Sequence, residues 1–302
     1  MYFITSYWSR WLFFVSSLSL LYVICIFLND TPQLFEHRLG AFGHFFFIGL
    51  LAAIIANSTG AGGGIIFLPA FTMLGISTET ALSTSFAIQC FGMTSGALAW
   101  LSFRQRERNL GHYEWHGFTH LLTLSVVGSL IGLLLAQYVL PPLKFDVHSL
   151  FSFFSIFVGL YIVLAPFLFK AVPEERSVSL SYIEQLFLLF VAIIGGMVTA
   201  WLSVGVGELV AIALLAMKFR VQQAVAVAVC VSSISVIVGV MKYVGQGIIS
   251  TDILLFAAPA AMIGGAVARV IATWLGAIKL KTMMGIWITL SGVLYLQFGV
   301  SA

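Results

Sequence analysis

Charge is what this sequence has least of. Only 8% of its 302 residues are Asp, Glu, Lys or Arg, while 61% are hydrophobic. A water-soluble fold of this size has nowhere to hide so much apolar surface, so the class indicated is a polytopic all-α membrane protein. Alternating strands of about 10 residues, the mark of a membrane barrel, are missing, because the apolar runs are continuous and about 20 long. No polar stretch is long enough for a separate soluble domain. Cysteine is scarce as well. Cys25, Cys90 and Cys230 all fall inside apolar runs, which gives neither a disulfide framework nor a metal-binding spacing. They read as small buried hydrophobes. The net charge of +3 is spread over loops and implies no nucleic-acid partner.

Signatures of chemistry are equally thin. The run Gly60-Ala61-Gly62-Gly63-Gly64 follows no strand and ends in no Lys-Ser/Thr, so it is not a phosphate loop. Gly92-Met93-Thr94-Ser95-Gly96 has the wrong spacing for an intramembrane serine nucleophile, and paired histidines for a haem are lacking. His112, His116 and His120 recur every fourth residue, but no carboxylate or thiolate stands at matching depth. An interfacial stripe is favoured over a metal site. His44 is expected as a packed, neutral side chain. No cofactor is implied, and an enzyme is disfavoured because no nucleophile–base pair is readable.

Glycine, in contrast, is abundant and clustered. The stretch Asn57-Ser58-Thr59-Gly60-Ala61-Gly62-Gly63-Gly64 interrupts an apolar segment. Each glycine costs a helix roughly 1 kcal/mol against alanine, so four together predict a break. In a membrane such a break survives only where protein or a watery cavity solvates its polar groups. A second break follows at Ser203-Val204-Gly205-Val206-Gly207-Glu208. A shift of 145 residues lays Ser58 on Ser203, Gly60 on Gly205, Gly62 on Gly207, Gly63 on Glu208 and Ala81 on Ala226. We read two repeats, each a glycine-broken helix followed by three transmembrane helices.

In chain order the expected elements begin with a retained helix at 11–28, outside the repeats, within an N-terminal segment 1–40. The first repeat, 41–170, holds a broken element at 41–56 and 62–74, then helices at 79–101, 116–139 and 148–169. Arg104, Arg106 and Arg108, with Glu107, fall in a loop after the first of these helices. The second repeat, 171–302, follows the loop 170–179. It holds a broken element at 181–202 and 207–217, then helices at 221–243, 252–275 and 281–298, the second kinked at Pro259. If each broken element crosses the membrane once, the loop cations divide six to seven. If each is a hairpin returning to its own face, they divide ten to three, with only Arg38, Lys144 and Lys242 on the minor side. The second division is the cytoplasmic excess that insertion favours. It places the amino terminus inside and leaves the repeats inverted, a recurrent plan of secondary transporters with the site where the breaks meet.

The chemistry is expected at those breaks. Short helices starting near Gly62 and Gly207 each offer unpartnered N–H groups and a partial positive charge, and glycine lets a ligand approach closely. Together they form an anion site needing no arginine. The residues assigned to it are Asn57, Ser58, Thr59, Gly60, Gly62, Gly63, Gly64, Ser203, Gly205 and Gly207, with the stripe Ser83, Thr84, Ser85 and Gln89 along the path. The competing readings are tight helix packing for the glycines and bonds to the preceding turn for the serines. Glu208 is the acid set deepest in apolar sequence. It is read as the group that couples proton movement to transport, the alternative being a helix cap.

These motifs together resemble the sulfite exporter TauE/SafE family. The resemblance rests on Gly60-Ala61-Gly62-Gly63-Gly64 with Pro69, Ala81 and Ser83-Thr84-Ser85, and on Gly205-Val206-Gly207-Glu208 with Ala226. It covers about residues 41–300. It implies a multi-pass secondary transporter of the cytoplasmic membrane that exports small sulfur-containing anions such as sulfite, sulfoacetate or thiosulfate. Glu208, where the first half has Gly63, makes the two breaks unequal. The alternatives kept are an uptake carrier or channel for another small anion, and a membrane-embedded enzyme subunit. The expected partners are a small anion and the lipid bilayer, and no oligomeric state is read.

Overall fold

A computed structural model describes residues 32–111, 115, 117–141, 146–168 and 180–299. Every regular element among them is a helix. The first half contains α1 (Pro32–Phe42), α2 (Phe45–Thr59), α3 (Gly64–Met73), α4 (Thr78–Asn109), α5 (Phe118–Leu134) and α6 (Val147–Leu168). The second contains α7 (Tyr182–Leu202), α8 (Val206–Ala216), α9 (Val221–Val240), α10 (Thr251–Leu275) and α11 (Ala277–Gly299). The helix expected at 11–28 lies outside the described residues, as do His112 and His116.

By length and composition, α4, α5, α6, α7, α9 and α10 can each cross a membrane, and α1 with α2 form a further bent pair at 51°. This is a multi-pass membrane protein. Its surface agrees, since large apolar side chains such as Phe153, Phe157, Ile183 and Phe190 stand exposed on α6 and α7. In water they would form an aggregation-prone patch; in lipid they are the solvent-facing surface. The interior is built on α4, α9 and α10, the most buried of the spans.

Small residues permit that interior. α2 lies against α10, where Gly49 meets the backbone of Ala257 and Gly264 meets the carbonyl of Leu50. α5 lies against α7, where Gly128 meets Ala192 and the Leu189 carbonyl, and Gly132 meets the Ile193 carbonyl. Without a hydrophobic drive between helices in lipid, close backbone approach and interhelical hydrogen bonds hold such a bundle. The bonds are present: Ser95 Oγ donates to the Met262 carbonyl at 2.7 Å, Gln137 Nε2 to the Gly239 carbonyl at 3.1 Å, and Ser129 and Ser235 pair at 3.0 Å. In both close pairings, a broken helix of one half packs on a helix of the other half.

Contacts also fix where each broken element enters and leaves. At one end of the bundle, Arg38 of α1 pairs with Asp252 of α10 at 3.1 Å. At that end too, Ser83 near the start of α4 donates to the Ile248 carbonyl at 3.1 Å, and Ser250 N–H donates to Thr84 Oγ1 at 3.0 Å. The chain therefore enters α1–α2 and leaves α3 for α4 at the same end. At the other end, Arg104 lies 4.5 Å over the Phe118 ring at the start of α5, which runs alongside α7. α9 runs antiparallel to α4, with Phe86 against Tyr243, Cys90 against Val236 and Thr94 against Ser233. The start of α7 and the start of α9 thus share the Arg104 end.

Several boundaries differ from the sequence reading. α4 continues through Asn109, carrying Arg104, Arg106 and Arg108 on its last turns instead of in a loop. Arg, Gln and Glu are good helix formers, and long cationic stems can lie along the helix while their heads reach water. Lys279 and Lys281 lie in the first turns of α11, since α10 and α11 are separated by Gly276 alone, at φ 74°. α5 ends at Leu134 and widens into a π turn over Leu135–Val139. Pro259 sits inside α10 without ending it. His44 is exposed at the α1–α2 bend, its ring tilted against that of Phe45 at 4.3 Å, instead of packed inside.

The packing generates a test. Gly132→Leu and Gly264→Leu each push a side chain into a backbone carbonyl, at a typical cost of about 1–3 kcal/mol. Both variants are expected to melt several degrees lower in detergent, whereas Gly40→Leu, with nothing within 4 Å of its Cβ position, is expected to leave the midpoint in place. Equal midpoints for all three would remove close backbone approach as the source of stability.

Candidate functional site

Each break is set by a residue that leaves right-handed space. α2 stops because Gly60 takes the left-handed conformation, φ 86°, its N–H bonding back to the Ala56 carbonyl at 2.9 Å. α7 stops because Ser203 does the same at φ 56°, its N–H bonding to the Thr199 carbonyl at 2.8 Å. A left-handed serine is strained by about 1–3 kcal/mol and persists only where its surroundings hold it. Gly205 follows at φ 140°, a conformation open to glycine alone. The outgoing helices therefore start at Gly64 and Val206, not at Gly62 and Gly207. Gly62 and Gly63 are left outside α3, and Gly207 falls one residue inside α8.

The two breaks meet beside the middle of α4. The Cα of Gly64 lies against the Ser203 carbonyl and that of Gly207 against the Gly60 carbonyl, contacts too close for any side chain. Four backbone N–H groups here turn away from helical bonding to side-chain oxygens. Gly62 N–H donates to Glu208 Oε1 at 2.7 Å and Gly205 N–H to Glu208 Oε2 at 2.8 Å. Gly63 N–H donates to Gln89 Oε1 at 2.8 Å, and Val206 N–H to Thr199 Oγ1 at 2.9 Å. Glu208 is fully buried, and one carboxylate joins the two halves of the chain.

Gln89 is the second joint. Its Nε2 donates to the Ser203 carbonyl at 3.0 Å and lies 2.8 Å from Ser203 Oγ and 3.1 Å from Ser85 Oγ. Ser203 Oγ donates to Ser85 Oγ at 3.0 Å. This network holds Ser203 in its strained conformation and satisfies both ends of the buried amide, as burial demands. A small pocket lined by Ile55, Thr59, Gly62, Ile65 and Trp287 lies against the first break on the side of α11.

The residues expected at the site thus separate into groups. Gly60, Gly62, Gly63, Gly64, Ser85, Gln89, Ser203, Gly205, Gly207 and Glu208 come together. Ser83 and Thr84 are fully buried but spend their hydroxyls on the loop before α10. Asn57, Ser58 and Thr59 are buried beside the break and bond mainly to their own helix. Asn57 Nδ2 donates to the Ala53 carbonyl at 2.8 Å, and Ser58 Oγ and Thr59 Oγ1 donate to the Ile55 carbonyl at 3.1 and 2.7 Å. Thr59 Oγ1 also accepts from Ala61 N–H at 3.3 Å.

Two contributors were not singled out from sequence. Thr199 Oγ1 donates to the Gly195 carbonyl at 2.8 Å while capping α8, and Trp100 Nε1 donates to the Asn57 carbonyl at 2.9 Å. A threonine one turn before a break is the pattern that could have found the first. No sequence pattern pointed to Trp100. Among the described residues no group of His, Cys, Asp or Glu is arranged to hold a metal ion.

The chain matches the sulfite exporter TauE/SafE family over residues 45–295, a span that takes in both breaks and every helix packed around them. It is also 29% identical over 140 residues to the "Probable membrane transporter protein YfcA" of Escherichia coli strain K12, covering 46% of this chain and 48% of that protein. To the "Probable membrane transporter protein" of Haemophilus influenzae it is 29% identical over 168 residues, covering 56% of this chain and 60% of that one. The matches thus span about half the length of these relatives. No solved structure is significantly similar to the chain. The breadth of the family match, across both halves of the paired-break architecture, establishes that this chain belongs to the sulfite exporter TauE/SafE family.

Proposed function

We propose that the protein is a secondary transporter that moves small sulfur-containing anions, sulfite, sulfoacetate or thiosulfate among them, out across the cytoplasmic membrane. The observation carrying this reading is the meeting of two glycine breaks half-way along α4, where backbone N–H groups from both converge on carboxylate and amide oxygens. Oriented N–H groups in a buried setting are an anion site in kind. The family match and the names of the transporter relatives support transport as the activity. The family's description supports sulfite as the first anion to try.

The repeats are proposed to be inverted. Each broken element enters and leaves at its own end of the bundle, and these ends are opposite. That arrangement supports the ten-to-three cation division, with the Arg104 end cytoplasmic. Alternating access would then move the breaks of one half against those of the other about the shared junction. Glu208, in this scheme, is the group whose protonation links proton movement to anion movement.

Two measurements check the reading. In proteoliposomes loaded with sulfite, sulfoacetate or thiosulfate, efflux is expected to depend on the protein and to saturate. Gly62→Ala, whose added Cβ would stand 3.2 Å from Val204 Cα, is expected to lower efflux about tenfold with little change in melting temperature. Turnover of dissolved substrate without flux would instead favour an enzyme. For sidedness, single cysteines at Asn109 and Gln246 in a cysteine-free background are to be labelled on intact cells with an impermeant maleimide. Labelling is expected at Gln246 alone, and labelling at Asn109 would reverse the assignment.

A further inference from the structure

Glu208 does more at the junction than carry a charge. Its two oxygens occupy two N–H donors that come from different breaks, Gly62 at 2.7 Å and Gly205 at 2.8 Å. An anion with two oxygens on one central atom matches this pair of donors as the carboxylate does, one oxygen to each N–H. Beside this bridge stands Ser232 of α9. It is 2% exposed, its Oγ has no hydrogen-bond partner, and a Cβ added at Gly207 would stand 2.6 Å from it. An orphaned buried hydroxyl carries a desolvation cost that a ligand can recover.

Resting on the transport reading above, we propose that the Glu208 carboxylate is the resident occupant of the anion site, a stand-in for substrate. The site itself takes a three-oxygen head such as sulfite or a sulfonate. Two oxygens of that head replace those of Glu208 on the Gly62 and Gly205 N–H groups, and the third accepts from Ser232 Oγ. The displaced carboxylate takes one proton from water and leaves as a neutral acid, so one proton is bound for each anion bound. The groups facing Glu208 from the first break, α4, α7 and α9 are backbone amides, Gln89, Ser85, Ser203, Thr199 and Ser232. Among the described residues no second ionised side chain is set against it. Substrate and ionised Glu208 thus exclude one another, which couples the proton to the anion without a separate relay.

The test uses the full chain in detergent with methanesulfonate, which stays ionised throughout, and acetate as the two-oxygen control. Calorimetry in two buffers of different ionisation heat is expected to show uptake of one proton per methanesulfonate bound to the wild type. Ser232→Ala removes a hydroxyl that bonds nothing, so its fold is retained. It is expected to weaken methanesulfonate about tenfold while leaving acetate unchanged. Glu208→Gln is expected to bind methanesulfonate more tightly than the wild type and to take up no proton. Binding by the wild type without proton uptake would overturn the displacement. Equal losses for both probes in Ser232→Ala, or none, would overturn the third contact. Failure of the wild type to bind either probe or sulfite, or to move sulfite in vesicles, would strike the transport reading itself and this inference with it.

Discussion

The structure turns on one buried carboxylate. Burying a carboxyl group in an apolar interior costs free energy in either protonation state, and the donors gathered around Glu208 offset that cost. Hydrogen bonds to a charged group contribute about 1.5–3 kcal/mol each, and its two oxygens collect one from each half of the chain. Those same donors are orphaned by the glycine breaks, which would otherwise leave unsatisfied N–H groups in the apolar interior. Carboxylate and breaks therefore stabilise one another.

Everything else in the bundle brings the two breaks to one place. Backbone-on-backbone contact at Gly49, Gly132 and Gly264 sets each broken helix against a helix of the opposite half. The two halves are therefore interleaved and cannot be parted as separate lobes. Gln89, reaching from the middle of α4 to Gly63 and to Ser203, repeats in neutral form what Glu208 does with charge. The strain at Ser203 lies between these two joints, where a rearrangement that released either would also release the strain.

Much of this was legible in the chain itself. Clustered glycines announced the breaks, and the isolation of Glu208 in apolar sequence marked it as exceptional. The polar stripe was legible only as a stripe. Ser83, Thr84 and Ser85 are consecutive, yet a helix turns about 100° per residue. Ser85 thus faces the breaks while Ser83 and Thr84 fasten a loop. The arginines of α4 were placed in a loop because hydropathy marks where the apolar span ends and not where the helix does. Thr199 and Trp100 gave little or no signal, because their roles depend on partners remote from any local pattern.

Composition and spacing by themselves determined the membrane class, the helical architecture and the two breaks, since each follows from the local cost of glycine or charge in an apolar chain. Which N–H meets which oxygen is a matter of distances across more than a hundred residues, and only the tertiary structure decided it. The sequence offered two helix N-termini open to an anion. The folded chain fills both with its own side chains, because a buried donor must be satisfied from whatever the packing brings within reach.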